Sequence, residues 1–208
     1  MKKTVPEECF EKAVFLLQPS RPILCTTKNE DGSDHVSTFS WINPVSFKPP
    51  QVGLALLNSP KKQHSLCNIE RSGEFVVNLP SMKLAEQMVL ASYWPVFNEN
   101  KFDRSTFTRL PAKKVAPVAI AECTAHLECK VLELINPGDH TLIIADVLAA
   151  YYDEDAYSEG MLINLREFEP VIHLQNFELQ DSQIHVFMKP GGAETLEVSF
   201  PKKDEIPT

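Results

Sequence analysis

The sequence predicts a mainly β protein, a β-barrel with peripheral helices. Strand-like runs separated by turn residues recur along most of the chain, helical periodicity is confined to a few short segments, and two long strand patterns follow one another across a tight turn near residue 137. Many strands with few helices favour a closed or nearly closed sheet, because closure removes exposed edges.

The elements follow in order. From Pro6, "PEECFEKAVFLL" places Phe10, Ala13, Val14 and Leu17 on one helical face, a short amphipathic helix expected to lie against a sheet and to stop at "QPSRP". "PILCTT" and "HVSTFSW" read as two strands of a hairpin whose turn, "KNEDGSD", supplies left-handed positions at Asp31-Gly32. A proline-rich corner, "NPVSFKPP", separates them from a third strand, "QVGLALL". Ser59 is the expected N-cap of a helix that ends at Gly73, and "EFVVNLP" is a buried strand. Ser81 is expected to cap a second helix, with Leu84, Met88 and Ala91 at helical spacing.

A long irregular stretch runs from Tyr93 to Pro117, and loops of that length in compact domains tend to carry function. Residues 120–134 then alternate, with Ala121, Cys123, Ala125, Leu127, Cys129 and Val131 on one side and Glu122, Thr124, His126, Glu128 and Lys130 on the other. "NPGD" turns this strand into "HTLIIADVLAAYY", and "MLINL", "VIHLQNFEL" and "SQIHVFM" complete the chain before a polar tail.

At 208 residues and 43% hydrophobic, the chain suits one domain with a core of about residues 20–175 and a C-terminal hairpin and tail over 176–208. A net charge of -8 and the lack of any block of Lys and Arg argue against nucleic acid or an anionic membrane surface as partner. No apolar run approaches the roughly 20 residues of a spanning helix, and Glu7, Glu8, Glu11 and Lys12 interrupt the N-terminus, so the protein reads as cytoplasmic. The five scattered cysteines, Cys9, Cys25, Cys67, Cys123 and Cys129, fit reduced thiols better than a disulfide framework.

Several chemistries lack their residues. Cys123, His126 and Cys129 have the look of a metal cluster, but on a strand the two cysteines face away from the histidine, so no metal site is expected. There is no Gly-x-Ser-x-Gly elbow, and seven glycines hold neither a Gly-x-Gly-x-x-Gly turn nor a P-loop; "PGGA" near the C-terminus reads as a hairpin turn. What remains is "NSPKKQHS", Asn58 to Ser65, where a strand end meets a helix start. Unpaired N–H groups there, with Lys61, Lys62 and hydroxyls, can hold a phosphate, although an ordinary solvated helix start has the same composition. Only "QVGLALL", roughly 23 Å if extended, separates this point from the corner at Ser37 to Pro50, about the reach of a mononucleotide with a tricyclic head.

The blocks "STFSWINPVSFKPPQVGLALL", "NIERSGEFVVNLP", "KF" at Lys101-Phe102 and "HLECKVLELINPGDHTLIIADVL" resemble, in order and spacing, the flavin reductase-like FMN-binding family, which includes flavoredoxin and the short-chain flavin reductases that serve two-component monooxygenases. The resemblance covers about Pro22 to Val171. It implies a split β-barrel of the FMN-binding type, working as a homodimer, with FMN bound noncovalently and NADH or NADPH as electron donor. It places Thr38, Phe39, Ser40 and Trp41 along the ring and ribityl chain with Ser46 close by, and Asn58, Ser59, Lys61, Lys62 and Ser65 around the phosphate. Gln63 stands near the position of an arginine common in the family, which leaves the charge to the lysines. His140, in "GDH", falls where the family can position the nicotinamide, and Lys101 falls on a loop that approaches the flavin. The implied activity is an NAD(P)H-dependent flavin reductase that passes electrons to free flavin, an iron complex or a protein acceptor such as a monooxygenase partner. A flavoredoxin-like carrier with little nicotinamide activity and a non-enzymatic fold relative are the alternatives.

Overall fold

The computed structural model describes residues 2–92, 101–178 and 183–188. The "PGGA" turn, the polar tail and residues 93–100 of the long loop lie outside the described residues. The elements are a 3-10 segment at Glu7–Leu17, strands β1 (Ile23–Lys28), β2 (Asp34–Phe39), β3 (Ile42–Phe47) and β4 (Pro50–Leu57), helix α1 (His64–Ser72), β5 (Glu74–Leu79), α2 (Ala85–Ser92) and α3 (Lys101–Arg104). Then come β6 (Arg109–Leu110), β7 (Ala119–Ile120), β8 (Ala125–Ile135), β9 (His140–Tyr152), β10 (Tyr157–Ser158), β11 (Leu162–Ile163), β12 (Ile172–Glu178) and β13 (Gln183–Met188). No helix among the described residues is long and apolar enough to cross a membrane.

Seven strands form one antiparallel sheet in the order β2-β1-β5-β8-β9-β4-β3. Strands from opposite halves of that order feed one core: Ile23 and Cys25 of β1 meet Val52, Leu54 and Leu56 of β4, with Phe39 of β2 and Ile42 of β3 packed against them. The sheet therefore curls into a barrel but stays open, with β2 and β3 as its two edges, an architecture of the split-barrel type. Alternation along β1 sends Leu24 to the other face, where Leu24 and Val36 pack with Met88 and Ala91 of α2, Phe102 of α3, Ile120 and Cys123 in a second, outer core. α2 and α3 thus sit outside the barrel, as the sequence predicts, whereas α1 sends Leu66 and Ile69 into the barrel core.

The proline-rich corner is a correction. It is not an irregular link but strand β3, hairpinned onto β4 with a bulge between Pro44 and Ser46. An edge strand tolerates Pro44 because one side of its ladder has no partner to lose. In the first hairpin only Gly32 is left-handed, at φ 81°; Asp31 instead accepts hydrogen bonds from the Ser33 amide and hydroxyl, which hold its carboxyl below the usual range.

The helix starts also differ. α1 begins at His64 rather than after Ser59, because the Gln63 amide donates to the Leu57 carbonyl while the Leu57 amide donates to Gln63 Oε1, closing residues 58–62 into a loop. Its end at left-handed Gly73, whose amide donates to the Ile69 carbonyl, is as expected. Ser81 makes no side-chain cap; it precedes a 3-10 turn, Met82–Leu84, that runs into α2. The N-terminal segment is a kinked 3-10 stretch that buries none of its residues, instead of an α-helix seated on a sheet. Pro6 offers no capping side chain, and Phe15, Leu16 and Leu17 in succession spread apolar surface over more than one face.

The long strand expected over residues 120–134 is broken. β7 ends at Ile120, a turn over residues 121–124 follows, and β8 carries bulges between Glu128 and Cys129 and between Val131 and Glu133. Cys123 consequently packs in the outer core and Cys129 in the barrel core, so the two cysteines do not share a face. Glu128 and His126, expected at a solvated face, are buried. Glu128 accepts hydrogen bonds from the Lys113 and Lys114 amides, and His126 pairs with Asn78 and stacks on Tyr151.

Candidate functional site: a cleft between β2 and the first turn of α1

An open cleft is lined by His35, Ser37, Thr38 and Phe39 of β2, Gln63, His64 and Ser65 at the start of α1, Ser92 at the end of α2 and Lys101 at the start of α3. β2 can offer these polar groups because it is a sheet edge, with only β1 paired to it. Lys101 Nζ donates to Ser37 Oγ at 3.1 Å and to the Ala91 carbonyl at 2.9 Å, which fixes the ammonium at the cleft wall. Thr38 is turned away, its hydroxyl donating to the Met88 carbonyl at 2.6 Å. The His35 and His64 rings lie 4.5 Å apart at 34°, and His35 Nε2 is 3.3 Å from Ser37 Oγ.

Among the described residues, no carboxylate lines this cleft. Burial lowers Lys101 to about 8, so it is mostly charged at neutral pH. Burial, and then the neighbouring His64 and Lys101, push His35 down to about 3; burial and Lys101 lower His64 as well. The cleft therefore presents one fixed cation beside two neutral imidazoles.

Ser65 is 1% exposed, and its Oγ has no hydrogen-bond partner. A buried hydroxyl without a partner costs on the order of 1–3 kcal/mol. It stands in the first turn of α1, where backbone N–H groups are unpaired and the helix carries partial positive charge. The unmet hydroxyl, the helix start and Lys101 together form an environment that fits an anionic oxygen-bearing group such as a phosphate.

A second cluster lies where β4 ends. Trp41, 40% exposed, stacks on His140 with centroids 4.6 Å apart and planes at 23°. His140 Nδ1 pairs with Asp139 Oδ1 at 2.8 Å. The Asn58 and Ser59 amides donate to the Asp139 carbonyl, and the Asn58 side chain reaches Asn136 and Thr141, so the turn at residues 136–139 is tied to the end of β4.

The residues singled out in the sequence divide between these places. Thr38, Phe39, Ser65 and Lys101 line the cleft. Ser40 and Trp41 join β2 to β3, and Asn58, Ser59 and His140 belong to the second cluster. Ser46 lies on β3 opposite Gln51. Lys61 lies in the loop before α1, and the neighbouring Lys62 forms a solvent-exposed pair with Glu70 at 2.8 Å. Sequence reasoning gave no role to His35, His64 or Ser92, and reached Ser37 only as the start of the flavin-binding corner and Gln63 only as the residue near the family's arginine. The period of two along β2, which puts His35 and Ser37 on the face of Phe39, is the signal that could have found His35.

A profile of the flavin reductase like domain matches residues 17–171, and the chain belongs to that family. A protein of Archaeoglobus fulgidus is 35% identical over 144 residues, covering 69% of this chain and 78% of the relative. Among solved structures, nitrilotriacetate monooxygenase component B from Bacillus cereus is similar with a TM-score of 0.81 at 18% identity, over 94% of this chain and 98% of that one. Flavoredoxin of Desulfovibrio vulgaris (Miyazaki F) is similar with a TM-score of 0.74 at 21% identity, over 97% and 99%. At such identities these two structures speak for the fold, which they share with this chain over nearly its whole length.

Proposed function

We propose that the protein is an FMN-binding oxidoreductase, an NAD(P)H:flavin reductase that passes electrons to free flavin, an iron complex or a protein acceptor. The observation that carries this reading is the buried, unpartnered Ser65 hydroxyl in a cleft that Lys101 also lines and that has no carboxylate among its described residues. In this reading Ser65 and the α1 start receive the phosphate, with Lys61 and Lys62 on the loop beside it, and Asn58 and Ser59 brace that loop. Thr38, Phe39, Ser40 and Trp41, with Ser46 beyond them, border the ribityl chain and ring.

Bound FMN supplies a ring that accepts two electrons from a nicotinamide and gives them up again. The chain's own part is to hold, orient and shield. Lys101, fixed by Ser37 and Ala91, would hold its ammonium against the phosphate. His140, oriented by Asp139, positions the nicotinamide. No acid–base pair is needed for electron-pair transfer between stacked rings. A homodimer fits the exposed apolar groups of the β3 edge, where Phe47 is 91% exposed and Val45 about half exposed. The likeness to a monooxygenase component and to a flavoredoxin supports a redox partner as acceptor.

Anaerobic mixing of the FMN-loaded protein with NADH and with NADPH tests the reading: loss of the flavin absorbance near about 450 nm is expected with at least one. Reduction by a ferredoxin system but by neither nicotinamide would select the carrier reading, which the flavoredoxin likeness favours. A protein that takes up no FMN would defeat both.

A further inference from the structure

His35 on β2 and His64 on α1 are in ring contact inside the cleft, and the proposed function gives neither of them a task. The groups facing them are few. From β2 comes Ser37, from α1 Gln63 and Ser65, from the end of α2 Ser92 and from α3 the ammonium of Lys101. Asp34, the carboxylate next to His35, is engaged instead by Lys28 and Arg109. Either imidazole would take a proton only beside the other ring and a lysine, with no carboxylate among the described residues that line the cleft.

A phosphate monoester reverses that situation. It brings about -1.5 to -2 charges. Lys61 and Lys62, on the loop before α1, do not line the cleft, and Lys62 is held by Glu70. The charges set against the phosphate there are therefore one lysine and roughly half a positive charge from the helix start. The remainder, up to about half a charge when the phosphate is a full dianion, has no counterpart among the described residues of the cleft unless an imidazole becomes charged. We infer that a phosphate-bearing flavin binds this cleft with uptake of a proton by the His35–His64 pair, which makes the pair a determinant of selectivity for FMN over riboflavin that strengthens on mild acidification. This rests on the reading of the cleft as the phosphate site. Burial and the two neighbouring bases keep both imidazoles neutral without ligand, and an adjacent dianion opposes each of those effects.

The test is calorimetric titration of the flavin-free protein with FMN and with riboflavin at about pH 7, in two non-phosphate buffers of unlike ionisation enthalpy. Most of Lys101 is charged at that pH and cannot supply the uptake. FMN is expected to bring in about half a proton and riboflavin close to none, and H64Q to reduce the FMN value to near zero. The ratio of riboflavin to FMN Kd is expected to rise about three- to tenfold between about pH 8 and about pH 6.5 in the natural protein, and in H64Q by no more than the roughly twofold that the charging of Lys101 supplies. Imidazole proton resonances of the unsubstituted protein, followed through pH with and without FMN, give the same answer without a variant: at least one of the two rings is expected to titrate at a pH about one unit higher with FMN bound. FMN binding with no proton uptake overturns the inference and leaves the site reading standing. Uptake that persists undiminished in both H35Q and H64Q also overturns it, assigning the proton to another group. Failure of FMN to bind at all removes the site reading and this inference together.

Discussion

The Trp41 indole and the His140 imidazole lie face to face, 4.6 Å between centroids and 23° between planes, although 98 positions of sequence (residues 42–139) separate them. The contact joins the Ser40–Trp41 link to the turn that Asp139 shares with Asn58 and Ser59. If the nicotinamide docks over this pair, H140A should act on the donor more than on FMN. Steady-state and stopped-flow kinetics are expected to show about a tenfold loss of kcat/KM for the nicotinamide, with FMN affinity changed less than about threefold.

S65A separates stability from binding. Removing a buried hydroxyl with no partner should leave the flavin-free protein unchanged or more stable by up to about 1 kcal/mol. FMN affinity is expected to fall about five- to tenfold while riboflavin affinity stays level. Thermal melts of the flavin-free protein and fluorescence titrations measure the two effects, and a parallel loss of stability would contradict the assignment.

The two lysine positions should behave differently. K62A breaks only an exposed pair with Glu70 and is expected to shift FMN affinity less than about threefold. K101A removes the cation anchored inside the cleft and should weaken FMN about tenfold or more. Titrations at two salt concentrations would check that the Lys101 effect is the less screened one.

Stability should fall with acid in a defined window. The folded pKa of His35 is depressed to about 3 and that of His126 to about 4, both chiefly by burial. Between those values and about 6.5 the unfolded chain binds more protons than the folded one, so stability rises with pH across that range and is lost as pH falls through it. Denaturant melts of the flavin-free protein are expected to lose a few kcal/mol between about pH 6.5 and about pH 4, with a shallower slope in H126Q.

Gly53 of β4 faces the bulged edge strand, and a Cβ there would stand 3.0 Å from Val45 Cγ1. G53A is expected to cost about 1 kcal/mol by crowding that hairpin, and the double variant G53A/V45A to recover most of it. Denaturant melts of the three variants check this.

Much of the barrel was legible because its strands are short apolar runs bounded by turn residues, as in "ILCTTK" and "EFVVNL", which are buried nearly throughout. The errors fall where local pattern met a long-range partner. "INPVSF" carries a proline and no clean alternation, and only its position at the sheet edge opposite β4 makes it a strand. Residues 120–134 alternate well on paper, but two bulges and the amides of Lys113 and Lys114 draw Glu128 inside. For the site, Ser65 was reached as a hydroxyl of the helix start "NSPKKQHS" and Lys101 through the family resemblance, whereas His35 and His64 carry no local signature. Their significance comes from β2 and α1 being brought together, which no spacing along the chain expresses.

The first and last strands of the seven-stranded order, β2 and β3, are consecutive in the chain and joined by Ser40 and Trp41 alone. Every ladder of the barrel therefore forms between strands other than this neighbouring pair, and the joint acts as a hinge on a lidless box. A chain cut open between Ser40 and Trp41 would keep each of its strand pairings, and what it would lose is the tether that sets how far apart the two rims of the barrel stand.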